Sequence, residues 1–185
     1  MISVLYFYIG SFLGWGVETL YAFFIHRRFM IRRSMLRLPL CPVYGLSAVF
    51  LRLTLKPVAG SLLLVFCGGF LVVSAVEYMT AYFTEQFLGV RLWDYRSLPA
   101  NLHGRVCAQF SLCWGLVAVF FLGVLEPWIT EQLFTLSRYH QLLLCTIGSV
   151  IFFADFSKTI LAYRSFGMGE DLSLKETLPY LERFV

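Results

Sequence analysis

Long apolar runs separated by short charged segments set the pattern of this chain. Residues 2–25, 38–55, 58–85, 106–125 and 140–163 are dominated by aliphatic and aromatic side chains, while charge collects in 26–37, 77–105 and the C-terminal tail. A helix needs roughly 20 residues to cross the hydrocarbon core of a bilayer. The runs therefore predict an all-α, polytopic integral membrane helical bundle of about five spans over residues 1–165. The stretch 166–185, with Leu172, Leu174, Leu178 and Leu181, is expected to be a cytoplasmic tail with a short amphipathic helix. The second run departs from the others, because Pro39, Pro42 and Gly45 interrupt its first half. Proline removes an amide donor and breaks a regular helix. This segment reads either as a cavity wall of irregular backbone or as a proline-kinked span beginning near Val43.

Composition agrees with this pattern. Hydrophobic residues make up 59% of the 185 residues and charged residues 14%, whereas a soluble domain carries about a quarter charged residues. Segment 26–37 holds Arg27, Arg28, Arg32, Arg33 and Arg37 with no acid. The positive-inside rule then predicts a multi-pass protein of the inner (cytoplasmic) membrane with its N-terminus outside and the 26–37 loop and C-terminus cytoplasmic. That rule accounts for the net charge of +4 without a nucleic-acid partner. The first run lacks a basic start and a cleavage site, so it is expected to be a retained span. Five scattered cysteines without a C-x-x-C pair predict buried thiols, with no disulfide framework, metal or cofactor.

The candidate chemistry lies at 77–105. On a helix Glu77, Ala81 and Glu85 share a face with Thr80 and Thr84 beside them. Glu18 is a further acid inside the first run, after the Gly10-x-x-x-Gly14 pair that permits close helix approach. A lipid-facing charge at the bilayer centre costs several kcal/mol, so Glu18, Glu77, Glu85 and Asp94 should meet partners among Arg52, Arg91, Arg96 and Arg105 around a polar cavity near the cytoplasmic side. In a functional site, Glu77 and Glu85 would contact a cation or proton. Arg105 and Asn101, near the start of the fourth span, would hold an anionic group. A structural alternative is a closed salt-bridge network locking spans one, three and four. Glu126-Pro127 is expected to end the fourth span, and Asp155 and Lys158 to form a local ion pair.

Several motifs bear a resemblance to a family. Gly14-Trp15 with Glu18, Leu40-Cys-Pro-Val-Tyr-Gly45, Glu77-Tyr78 with Glu85, Trp93-Asp-Tyr95, Asn101-x-x-Gly104-Arg105 and Ser111-x-x-Trp114-Gly115 resemble, in this order, the bacterial CmpB-like ABC-transporter type IV membrane family. The chain departs from that pattern at Leu38, where glycine is expected, and Leu92, where a second tryptophan is usual. The resemblance implies a permease-like role, with Trp15, Pro42, Tyr44, Tyr78, Thr84, Trp93, Tyr95 and Trp114 lining the cavity. Its ATPase would be a separate subunit, because the chain has no G-x-x-x-x-G-K phosphate loop; membrane lipid and a homo-oligomer are the other expected partners. Two further readings stand beside a small membrane transport protein or permease subunit. One is a membrane-embedded enzyme acting on a lipid-linked or isoprenoid phosphate, using the same residues with His103 as acid or base. The other is a structural subunit of a membrane complex. No G-x-S-x-G or H-E-x-x-H motif supports catalysis.

Overall fold

The computed structural model describes residues 1–26 and 36–167. The expected basic loop and C-terminal tail lie largely outside them. Apart from its connecting loops and one small hairpin, the described chain is helical. Helix α1 is Ile2–His26, α2 is Pro42–Leu55, followed by a 3-10 turn at Lys56–Val58, and α3 is Leu62–Leu88. Strands β1 (Asn101–Leu102) and β2 (Val106–Cys107) form an antiparallel pair with Asn101 opposite Cys107. They lead into α4 (Ala108–Phe120), a π-helical turn (Phe121–Leu125), α5 (Glu126–Thr135) and α6 (Arg138–Gly167). The tightest packing joins α1 to α2 and α3 to α4, with α2 against α3 and α6 along α1.

Among the described residues three helices are long and apolar enough to cross a membrane: Leu62–Leu88, Ala108–Thr135 and Arg138–Arg164. They present large side chains such as Leu63, Leu71, Phe83, Leu116, Val150 and Phe153 outward, as lipid contact requires. Helix α1 is of similar length but is diluted by tyrosines, glycines, Trp15 and Glu18. With 14 residues, α2 is about 21 Å long and falls short of the roughly 30 Å hydrocarbon core. These helices do not establish the expected count of five spans.

The second run forms a helix only from Pro42, whose missing amide is harmless in a first helical turn. Before it, residues 36–41 run as irregular backbone in which three amides are satisfied by other elements and that of Leu40 by the Leu38 carbonyl. Asp155 Oδ2 on α6 accepts from the amides of Arg37 (3.0 Å) and Leu38 (3.2 Å). The Cys41 amide donates to the Ser11 carbonyl over 2.8 Å. Asp155 therefore anchors backbone, and the expected Asp155–Lys158 pair does not form.

The fourth run continues beyond its expected end. Pro127 lacks an N–H, and its ring would strike the carbonyl four residues earlier in a regular helix. The π-helical turn widens the backbone just there, and the Glu126 amide reaches back to the Phe121 carbonyl. Ala108–Thr135 is consequently one long helix in place of a span ending at Leu125.

Candidate functional site

The site forms where the later part of α1, the start of α2, the second half of α3 and the start of α4 meet beneath the 89–107 loop. Glu77, Ala81 and Thr84 are buried on one face of α3, as the 3.6-residue period demands. Helix side chains lean toward their own N-terminus. Because α3 and α4 are antiparallel, Glu77 and Trp114 lean toward each other, and the indole Nε1 donates to Glu77 Oε2 over 2.9 Å. From the loop, the Tyr95 hydroxyl donates to Glu77 Oε1 over 3.0 Å. Glu77 is only 4% exposed, and among the described residues no cation pairs with it.

A second carboxylate is drawn to the same level. The Tyr44 hydroxyl donates to Glu18 Oε1 over 2.8 Å, and the Tyr44 ring meets Trp114 edge-on at 5.5 Å. Glycine sets this geometry: a Cβ on Gly14 would fall 2.2 Å from Tyr44 Cγ, and one on Gly45 2.1 Å from Ser11 Oγ. The Gly10-x-x-x-Gly14 pair thus seats Tyr44 against α1 with its hydroxyl directed at Glu18. Glu18 lies within electrostatic reach of both Glu77 and Tyr95. Burial first, and then the Glu77 carboxylate, push the Tyr95 hydroxyl up from its ordinary value, so it remains a proton donor.

On the loop side of this layer the charges are paired. Arg105 donates from Nε (3.0 Å) and Nη2 (2.6 Å) to Glu85 Oε2 and from Nη1 to the Tyr78 hydroxyl (3.0 Å). Its guanidinium lies over the rings of Tyr78 and Tyr82 at 5.1 and 5.3 Å. Arg91 Nε stands 2.9 Å from Glu85 Oε1 and also reaches Asp94. Asp94 accepts from Nε of Arg96 (2.7 Å) and from its amide (3.0 Å), and these bonds hold its carboxyl down at about 2. The Tyr78 hydroxyl also meets His103 Nδ1 at 3.1 Å.

The loop is a folded unit. Asn101 accepts from the Gly104 amide (3.0 Å) and donates to the Leu98 carbonyl (2.8 Å). Trp93 Nε1 donates to the Arg105 carbonyl over 2.7 Å. Gly89 closes α3 in the left-handed conformation, its amide bonded to the Glu85 and Thr84 carbonyls. Asn101, Asp94 and Trp93 therefore shape the loop, and Arg105 is engaged by Glu85. Of the other expected cavity residues, Thr84 bonds back to its own helix at the Ala81 carbonyl, Trp15 stacks on Phe12, and Pro42 opens α2.

Arg52, expected among these groups, is elsewhere. It pairs with Glu126, and Lys56 joins the same carboxylate at the other end of the bundle. Sequence reasoning treated Glu126 only as a helix end. The usable signal was an acid in register with the apolar face of a continuing helix. Ser111 stood in one of the family motifs, but its 2.6 Å bond to Ser74, one turn from Glu77, had no signal in the sequence. Among the described residues no group of three or more His, Cys, Asp or Glu side chains is placed to hold a metal.

The fold and site define an all-α protein with three helices long and apolar enough to cross a membrane, among the described residues, and a buried cluster of carboxylates and aromatics near one end. The family described as Putative ABC-transporter type IV matches residues 5–160, so the chain belongs to that family. Its description, with the apolar helices, suggests a membrane location and an ATPase partner. No curated protein and no solved structure matches the chain.

Proposed function

We propose that the chain is the membrane permease subunit of an ABC-type transporter and that Glu77 is its proton- or cation-binding carboxylate. The observation that carries this reading is the company Glu77 keeps. Two neutral donors, Tyr95 and Trp114, hold it, while Glu85, Asp94 and Glu126 all sit against arginine. A buried carboxylate without a cation is expensive in an apolar medium. A site that takes up and releases a positive charge explains its retention.

Glu18, brought alongside by Tyr44, adds a second negative group to the same site. The Arg105–Glu85 pair, Asp94 and Asn101 secure the loop that delivers Tyr95, so opening this pair would withdraw a donor from Glu77 and expose the carboxylate. In this reading Arg105 releases Glu85 when an anionic group arrives, and the loop faces the cytoplasm, where a separate ATPase chain supplies the energy. The 26–37 arginines orient the protein in the inner membrane with its N-terminus outside.

The closed network around Glu85 also favours a second reading, a structural subunit whose charges serve assembly. Gentle solubilisation and affinity capture of the full chain from its own membranes separates the two. An ATP-hydrolysing subunit in stoichiometric amount supports the permease reading; capture of a stable complex without any ATPase activity contradicts it.

A further inference from the structure

At the end of the bundle away from the 89–107 loop, Glu126 carries more positive charge than it needs. Its Oε1 accepts from Arg52 Nε (3.0 Å), Lys56 Nζ and Thr130 Oγ1 (3.1 Å). The Arg52 guanidinium lies 4.8 Å above the Tyr6 ring, and the Tyr6 hydroxyl is fixed by the Glu126 carbonyl (2.9 Å) and by Thr130 (2.6 Å). One carboxylate, its side chain 5% exposed, thus faces two cations whose side chains are 21% (Arg52) and 45% (Lys56) exposed.

Arginine commonly grips a carboxylate with two parallel bonds. Here only Nε of Arg52 hydrogen-bonds to Glu126, and all three donors crowd one oxygen. The terminal nitrogens of a guanidinium form a planar fork suited to phosphate. That fork, with the half-exposed ammonium of Lys56 beside it, is one positive charge in excess. In the orientation given above, both cations lie on the side where the positive-inside rule disfavours them. Neutralising Glu126 alone would require one.

We propose that Arg52 and Lys56 form a binding site for a single phosphate-type oxyanion, supplied by a lipid headgroup or by a free anion. Tyr6 and Thr130 fix the arrangement. Glu126 holds the cations in place and competes with the ligand. This site shares no residue with the Glu77 cluster and does not depend on the function assigned to it.

The test uses the full chain in phosphatidylcholine nanodiscs. Inorganic phosphate is titrated in one arm, and retention of phosphatidylglycerol is counted by native mass spectrometry in the other. Lys56→Gln, at the most exposed position of the cluster, is expected to weaken binding about tenfold, as loss of one charge-assisted hydrogen bond would. Glu126→Gln is expected to strengthen it by removing the competing charge. This pattern with inorganic phosphate identifies a free anion as the ligand, and the same pattern with phosphatidylglycerol alone identifies a headgroup. Absence of binding in both arms, binding indifferent to Lys56→Gln, or weaker binding by a folded Glu126→Gln variant would overturn the proposal.

Discussion

Trp114 and Glu77 stand on antiparallel helices and meet across 2.9 Å, indole nitrogen to carboxylate oxygen. This bond joins a buried carboxylate of α3 to α4, and the Tyr95 hydroxyl reaches the same carboxylate from the loop. The carboxylate is therefore shared between a helix apolar enough to cross a membrane and the loop that follows it.

Replacing Glu77 separates its charge from its hydrogen bonds. In Glu77→Gln the amide oxygen can accept from Trp114, and the amide nitrogen can donate to the Tyr95 hydroxyl, which accepts as well as donates. This variant should fold and melt close to wild type in detergent. In Glu77→Leu both donors are left unmet, at about 1–3 kcal/mol each. Its thermal midpoint should fall well below that of the glutamine variant.

Gly104 is a point where the loop tolerates no side chain. Its φ is +72°, and a Cβ there would lie 2.6 Å from Arg96 Cγ and 2.9 Å from Asp94 Oδ1. The left-handed conformation alone costs a non-glycine residue about 1–2 kcal/mol. Gly104→Ala should loosen the loop, seen as faster protease cleavage between residues 90 and 105, while the helix content measured by circular dichroism is unchanged.

Acid should act on the same loop. Arg96 holds the Asp94 carboxyl at about 2, below its ordinary 3.8. A carboxyl depressed on folding stabilises fully above the unfolded value and ceases to do so as pH falls through the folded one. The Asp94–Arg96 contribution should thus be complete above about pH 4 and fade toward pH 2. Pepsin cleavage of the loop followed across that window should rise in wild type, whereas Asp94→Asn should cleave readily throughout it.

What the sequence made legible was whatever depends on periodicity or on charge in an apolar run. Glu77 was legible as part of the buried face of α3, but eight residues overshoot two turns by about 80°, so Thr84 shares that face and Glu85 turns toward Arg91 and Arg105. Glu18 stood out as an acid among aliphatics, but its partner was sought among the arginines, whereas Tyr44, expected only to line the cavity, is a group that bonds it. Arg52 was misplaced because Pro127 reads as a helix terminator, whereas a π-helical turn carries the helix past it and brings Glu126 into the bundle. Asp155 escaped because its partners are backbone amides, which matching of opposite charges cannot find. The β1–β2 hairpin has two residues per strand, too few for an alternating pattern. The expected cavity residues are largely satisfied by one another, so their role rests on the loop and the Arg105–Glu85 pair opening.

The most direct measurement is ATP-driven ion movement in vesicles containing the chain and its ATPase, with trapped pH- and sodium-sensitive dyes, comparing wild type with folded Glu77→Gln. Loss of movement by tenfold or more at unchanged ATPase binding, roughly 1.4 kcal/mol or more at the critical step, is the predicted result. Undiminished movement in the glutamine variant would contradict Glu77 as the carboxylate that carries the charge.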